Sequence, residues 1–180
     1  MKGNQTVGLL ADIEIKKLVE SEKMIDPFIS FKEQNGMSYG LCSYGYDIRW
    51  SGALKTFQGD MIDPKEPQMD FFKVDKFYRL APQETILGLS VETFKMPSDV
   101  LGICLGKSSY ARCGILINTT PLEPGWRGRL VVEITNLNCL PVKLYVNEGI
   151  AQILFFRGDS YCSVLYQGQY QDQFVGKNNV

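Results

Sequence analysis

The chain has 180 residues, 44% of them hydrophobic and 22% charged, with 19 basic against 20 acidic side chains. That balance excludes a disordered or fibrous chain, and a net charge of -1 supplies no basic stripe for a nucleic-acid polymer or an anionic membrane. The absence of histidine removes the commonest zinc ligand, the commonest general base and the usual serine-activating partner together.

The segment Met1-Lys2-Gly3-Asn4-Gln5 has no apolar core after its lysine, and no run approaches the ~20 apolar residues of a membrane span. A soluble, cytoplasmic chain with no membrane partner is expected, forming one domain over 1–180. The first expected element is a short amphipathic helix from Asp12, carrying Ile13, Lys17 and Leu18, with Asp12 as its cap and Pro27 closing the region. After about Gly36 the period becomes two, and short apolar runs alternate with turn residues at the spacing of a small sandwich or barrel. Strands are expected over Tyr46–Trp50, Leu54–Phe57, Phe77–Leu80, Thr85–Thr93, Val100–Leu105, Ile115–Asn118, Leu130–Asn136, Val142–Val146 and Ile150–Phe156. Between Gly59 and Lys76 the run Asp63-Pro64-Lys65-Glu66-Pro67 reads as a long surface loop, and Gln173 with residues 174–180 as a loose tail. Cys42, Cys104, Cys113, Cys139 and Cys162 form no C-x-x-C pair, so they read as reduced, buried thiols.

Three segments carry polar residues that could do chemistry. Gly106 to Gly114 offers Lys107, Arg112, Ser108 and Ser109 after a strand, a turn able to cradle phosphate oxygens or one that is simply solvated. In Arg129 to Asn136, alternation puts Leu130, Val132 and Ile134 on one face and Val131, Glu133 and Thr135 on the other. Glu133 is thus a half-buried candidate general base, or else a surface glutamate or the partner of Arg112 or Arg129. Asn118 to Gly128 is a turn-rich connection between the two. In Ser43 to Arg49, Asp47 and Arg49 could pair to fix a strand end or a trimer.

In order and at these spacings the chain, from about Leu10 to Gln173, resembles the dCTP deaminase family of the trimeric dUTPase superfamily. The resemblance rests on Ser43 to Arg49, Gly106 to Gly114, Thr120 to Trp126, Val132-Glu133-Ile134 and Glu148 to Gln152. It implies a mainly β fold, a distorted β-barrel or jelly-roll-like dUTPase-type core with a short N-terminal helix, assembled as a homotrimer with sites between subunits. It implies hydrolysis of dCTP to dUTP and ammonia, with Mg²⁺ carried on the triphosphate and no zinc. By the same resemblance Glu133 is the base that activates water, while Ser108 and Arg112 orient it and stabilise charge. Lys107, Ser109, Tyr110, Ala111 and Gln152 would contact the nucleotide. So would Thr120, Val131, Val132, Tyr166 and Gln173, the last two from a C-terminal segment folded over the triphosphate.

The chain departs from the family pattern at that end: Gln169 stands where a phosphate-binding lysine is usual, and no glycine follows Gln173. A bifunctional enzyme that also releases dUMP and pyrophosphate, a plain dUTPase and a catalytically idle nucleotide-binding trimer are the alternatives. Inhibition by dTTP is left open by the sequence.

Overall fold

Three long strands, of 12, 11 and 10 residues, form the frame around which the rest is hung. In the computed structural model, which describes residues 7–30, 32–34 and 37–174, they are β5 (Tyr46–Phe57), β8 (Thr85–Lys95) and β11 (Arg127–Asn136). Before them come β1 (Gly8–Leu9), helix α1 (Asp12–Glu22), β2 (Ile25–Asp26), β3 (Lys32–Gln34) and β4 (Met37–Leu41). Between β5 and β8 lie β6 (Met69–Lys73) and β7 (Phe77–Leu80). β9 (Val100–Gly106), helix α2 (Ser108–Ala111) and β10 (Ile115–Asn118) precede β11, and β12 (Val142–Tyr145) and β13 (Gly149–Arg157) follow it.

Eleven strands form one curled sheet along the path β1-β13-β5-β8-β11-β10, while β7 and β12 make a separate hairpin-like pair. The strand-to-strand pairings are antiparallel, so one face can be buried while the other meets solvent. β5 makes the curl possible. Its first residues pair with β13 and β4, and its last with β8 and β6, across a register shift between Trp50 and Leu54. Gly52 sits in that shift at φ +84, where a Cβ would lie 2.3 Å from the Val74 carbonyl oxygen, so only glycine lets the strand turn this corner. Trp50, Tyr46, Phe94, Phe155, Ile134 and Leu54 fill the space enclosed.

Several sequence expectations need correction. The segments 46–50 and 54–57 are one strand bent at Gly52, not two. The stretch from Gly59 to Lys76 is not all loop, because Met69–Lys73 pairs with β5 from Ala53 to Phe57. Asp12 is the first helical residue, not the cap; Ala11 takes the cap position without a side-chain bond, and the helix stops at left-handed Lys23. Its buried side chains are Ile15 and Leu18, and Ile13 is exposed. Cys113, Cys139 and Cys162 are exposed because they lie in turns and in the segment after β13, and only Cys42 and Cys104 are partly buried. The expected tail begins later than Gln173, since Gln173 and Phe174 dock on the body; residues 175–180 lie outside the described residues. Among the described residues no helix is long and apolar enough to cross a membrane.

Candidate active site

Glu133 occupies the position that strand alternation requires, on the face of β11 opposite buried Leu130, Val132 and Ile134. It opens on a cavity of about 470 Å³. The floor is made by Leu87 of β8 with Val131 and Glu133 of β11, and one wall by Lys55, Phe57 and Met69 of the β5–β6 hairpin. The connection from β10 to β11 supplies Thr120, Glu123 and Trp126. One carboxylate oxygen, Oε2, is buried without a hydrogen-bond partner among the described residues, and burial holds the Glu133 carboxyl above the usual carboxylate range. A carboxylate that is costly to ionise but open to a cavity takes up a proton more readily than a solvated one.

The alternative readings of Glu133 do not hold. It is half-buried, not a solvated surface group, and it makes no ion pair with Arg112 or Arg129 among the described residues. Arg129 instead turns its guanidinium to the Ser90 carbonyl, with Nε donating at 2.8 Å. Cys104 of β9 lies close enough to feel the Glu133 charge, and burial first, with that charge adding, pushes its thiol up to about 12.

The cavity is covered by the segment from Tyr166 to Phe174. Backbone bonds fasten it to the Pro124–Arg129 stretch: Tyr166 N donates to Pro124 O at 3.0 Å, Asp172 N to Arg127 O at 2.8 Å, and Arg129 N to Gln173 O at 2.9 Å. Trp126 Nε1 donates to Tyr170 O at 2.9 Å. These bonds turn Tyr166, Tyr170, Gln173 and Phe174 toward the cavity, while Gln169 stays exposed outside its lining.

The residues singled out in the sequence fall into two groups. Thr120, Val131, Glu133, Tyr166 and Gln173 line the cavity together. None of Lys107, Ser108, Ser109, Tyr110, Ala111, Arg112 and Gln152 lines it. The expected turn after β9 is the short helix α2, which leaves Ser108, Ala111 and Arg112 exposed and Ser109 half-buried. Lys107 is buried, its ammonium bonded to the Asp47 carboxylate and, at 3.0 Å, to Ser38 Oγ. Asp47 is therefore not the partner of Arg49, whose Nε meets buried Glu92 at 2.7 Å. Gln152 stands between Asp47 of β5 and Leu105 of β9 in the sheet register. Tyr110 and Val132 point their side chains into the core, and Tyr110 Oη accepts from Tyr145 N at 3.0 Å.

Sequence reasoning missed Lys55, Phe57, Pro67, Met69, Leu87 and Glu123 as cavity residues. For Leu87 and Lys55 the alternation of their strands carried the face but not the cavity; Pro67 and Met69 lay in a stretch read as loop.

Comparison with known proteins bears on this arrangement. A family model described as dCTP deaminase-like matches residues 9–158. The chain is 48% identical over 178 residues to the dCTP deaminase of Campylobacter lari, covering 93% of this chain and 95% of the relative. It is 44% identical over 176 residues to that of Ehrlichia canis, covering 93% and 94%. Among solved structures it is similar to 2'-deoxycytidine 5'-triphosphate deaminase from Agrobacterium tumefaciens, with a TM-score of 0.67, 17% identity and 86% of this chain covered. The chain spans about half of that solved one, 49%, and at this identity the likeness speaks to the fold. A family model over most of the chain and relatives near half identity agree, and the chain belongs to the dCTP deaminase family.

Proposed function

We infer that the chain is a dCTP deaminase, a hydrolase that converts dCTP and water to dUTP and ammonia. The observation that carries the mechanism is Glu133, a half-buried carboxylate facing a cavity of about 470 Å³, large enough for a nucleotide base and sugar. Glu133 takes a proton from a water aimed at C4 of cytosine and delivers it to N3 as the C4–O bond forms; it then takes the second proton from the new C4 hydroxyl and delivers it to the exocyclic nitrogen as C4=O forms and the C4–N bond breaks. The proton ledger closes on ammonia and uracil. Val131 and Trp126 give the base an apolar bed, and Tyr166 and Gln173 close over it.

The chain offers no histidine, and among the described residues no three Cys, Asp or Glu side chains stand together as metal ligands. That donor set does not fit a protein-held zinc; Mg²⁺ in this reading arrives on the substrate triphosphate. Ser108 and Arg112 are assigned to orienting the water and holding charge at the base, in a homotrimer where the α2 region of one subunit completes the cavity of the next. The exposure of Ser108 and Arg112, apart from the cavity of their own chain, supports that arrangement. Lys107, Ser109, Tyr110, Ala111 and Gln152 then act as the frame and backbone of the nucleotide contact, and Val132 through its main chain.

The test is incubation with dCTP and Mg²⁺, scored for ammonia, pyrophosphate and nucleotide product. Ammonia with dUTP is expected. Pyrophosphate with dUMP would assign the bifunctional reading, and bound dCTP without ammonia would overturn the enzymatic one.

A further inference from the structure

Two strands from Glu133 stands a cation that no sequence motif singles out. Lys55 of β5 is in register with Leu87 of β8, and Leu87 is in register with Glu133 of β11. The three side chains therefore form one row across the sheet, and all three line the same cavity. At roughly 4.8 Å per strand the Cα atoms of Lys55 and Glu133 lie about 10 Å apart. A lysine stem and a glutamate stem leaning over one leucine span most of that gap.

Among the described residues Lys55 is the one cation lining the cavity, and it has no ion pair or hydrogen bond of its own. The other ionisable groups around Glu133 do not supply a positive charge. Glu123 of the β10–β11 connection is a second carboxylate, Tyr166 and Tyr170 of the covering segment are phenols, and Cys104 of β9 is a partly buried thiol. Arg129, four residues earlier in β11, gives its Nε to the Ser90 carbonyl.

Resting on the deaminase reading of Glu133, we propose that Lys55 is a positioning residue for the reaction: its ammonium, reaching across Leu87, holds the Glu133 carboxylate ionised and turned into the cavity. Burial by itself favours the protonated acid, which cannot accept a proton from water. An opposite charge on the same face offsets that penalty without forming a contact ion pair, which would tie the carboxylate down. Leu87 sets the spacing.

The experiment uses the full chain as wild type, Lys55→Met and Lys55→Arg. The Glu133 carboxyl is followed by ¹³C NMR titration, assigned with Glu133→Gln, and kcat/KM for dCTP is measured against pH. In Lys55→Met the titration midpoint and the acidic limb of the rate profile should move up together by about half a unit to one unit, the size of a partly screened charge at this range. KM should change little, and Lys55→Arg should keep both near wild type. A midpoint that does not move overturns the proposal, as does a rise in KM with the midpoint fixed, which would make Lys55 a ligand contact. The titration reads the coupling without turnover, so a moved midpoint in a chain that releases no ammonia supports the coupling and overturns the deaminase reading instead. Lys55→Gln serves the same test if the Met variant fails to fold.

Discussion

In the role proposed for it, Glu133 serves catalysis at the expense of the fold, and the two effects can be separated. Burial raises its folded-state pKa, so the folded protein binds this proton more tightly than the unfolded chain does. The stability given by the protonated form is complete below the ordinary carboxylate pKa and is lost as pH rises through the raised one. Glu133→Gln is neutral throughout and escapes that loss. It should therefore show a higher Tm than wild type at pH 7 and no advantage at pH values below that window, measured by thermal unfolding monitored by circular dichroism. Its turnover should fall by ~10² to 10⁴-fold, the usual worth of a general base, with dCTP binding retained. Turnover above about a tenth of wild type would remove Glu133 from the role.

At the scale of elements, β5 concentrates the demands of the fold. Its corner at Gly52 is both left-handed and closed off, with Val74 O at 2.3 Å and a Val146 methyl at 3.0 Å from any Cβ. Gly52→Ala should cost ~2 kcal/mol or more, read as a lower urea midpoint; an unchanged midpoint would mean the corner can relax. The strand also shows how far the sequence reaches. Its two halves were legible as alternating runs, and β11 with Glu133 on its open face was legible for the same reason, since alternation is a local property. The bend joining the halves was not, because Gly52 is held by Val74 and Val146, residues far along the chain. β6 was hidden by the prolines and acids that precede it, and its strand character comes from pairing with Ala53 to Phe57. The covering segment was legible only through resemblance, since main-chain atoms make most of its bonds to the Pro124–Arg129 stretch. Within that segment exposed Gln169 does not line the cavity; in the proposed reading, which takes this position from the family resemblance, a cation there meets the charged end of the substrate and leaves C4 untouched. Gln169→Lys should lower KM for dCTP more than it raises kcat, because such a contact stabilises ground and transition states alike. The gain should shrink at high salt, where screening shortens toward ~3 Å near 1 M. A rise in kcat at constant KM would instead make the segment an organiser of the catalytic groups.

The whole molecule decides whether the two groups of residues ever meet. In one chain the cavity holds Glu133 but not Ser108 or Arg112, and those two side chains can reach a cavity if it belongs to a neighbouring subunit. Closed symmetry makes this economical, since one contact repeated three times completes every site. Light scattering should give a mass near three times 20.3 kDa. A sharper result comes from mixing variants after dissociation and reassembly. Glu133→Gln chains carry an intact Arg112, Arg112→Ala chains carry an intact Glu133, and each homotrimer is inactive alone. In a random equal mixture a site is whole when its Glu133 comes from one kind of chain and its Arg112 from the other in the correct order, a probability of one half for each. About a quarter of wild-type activity should therefore return if neighbours share sites. If Glu133 and Arg112 of the same chain served one site, no mixture could rebuild it, and activity would stay at the level of the separate variants.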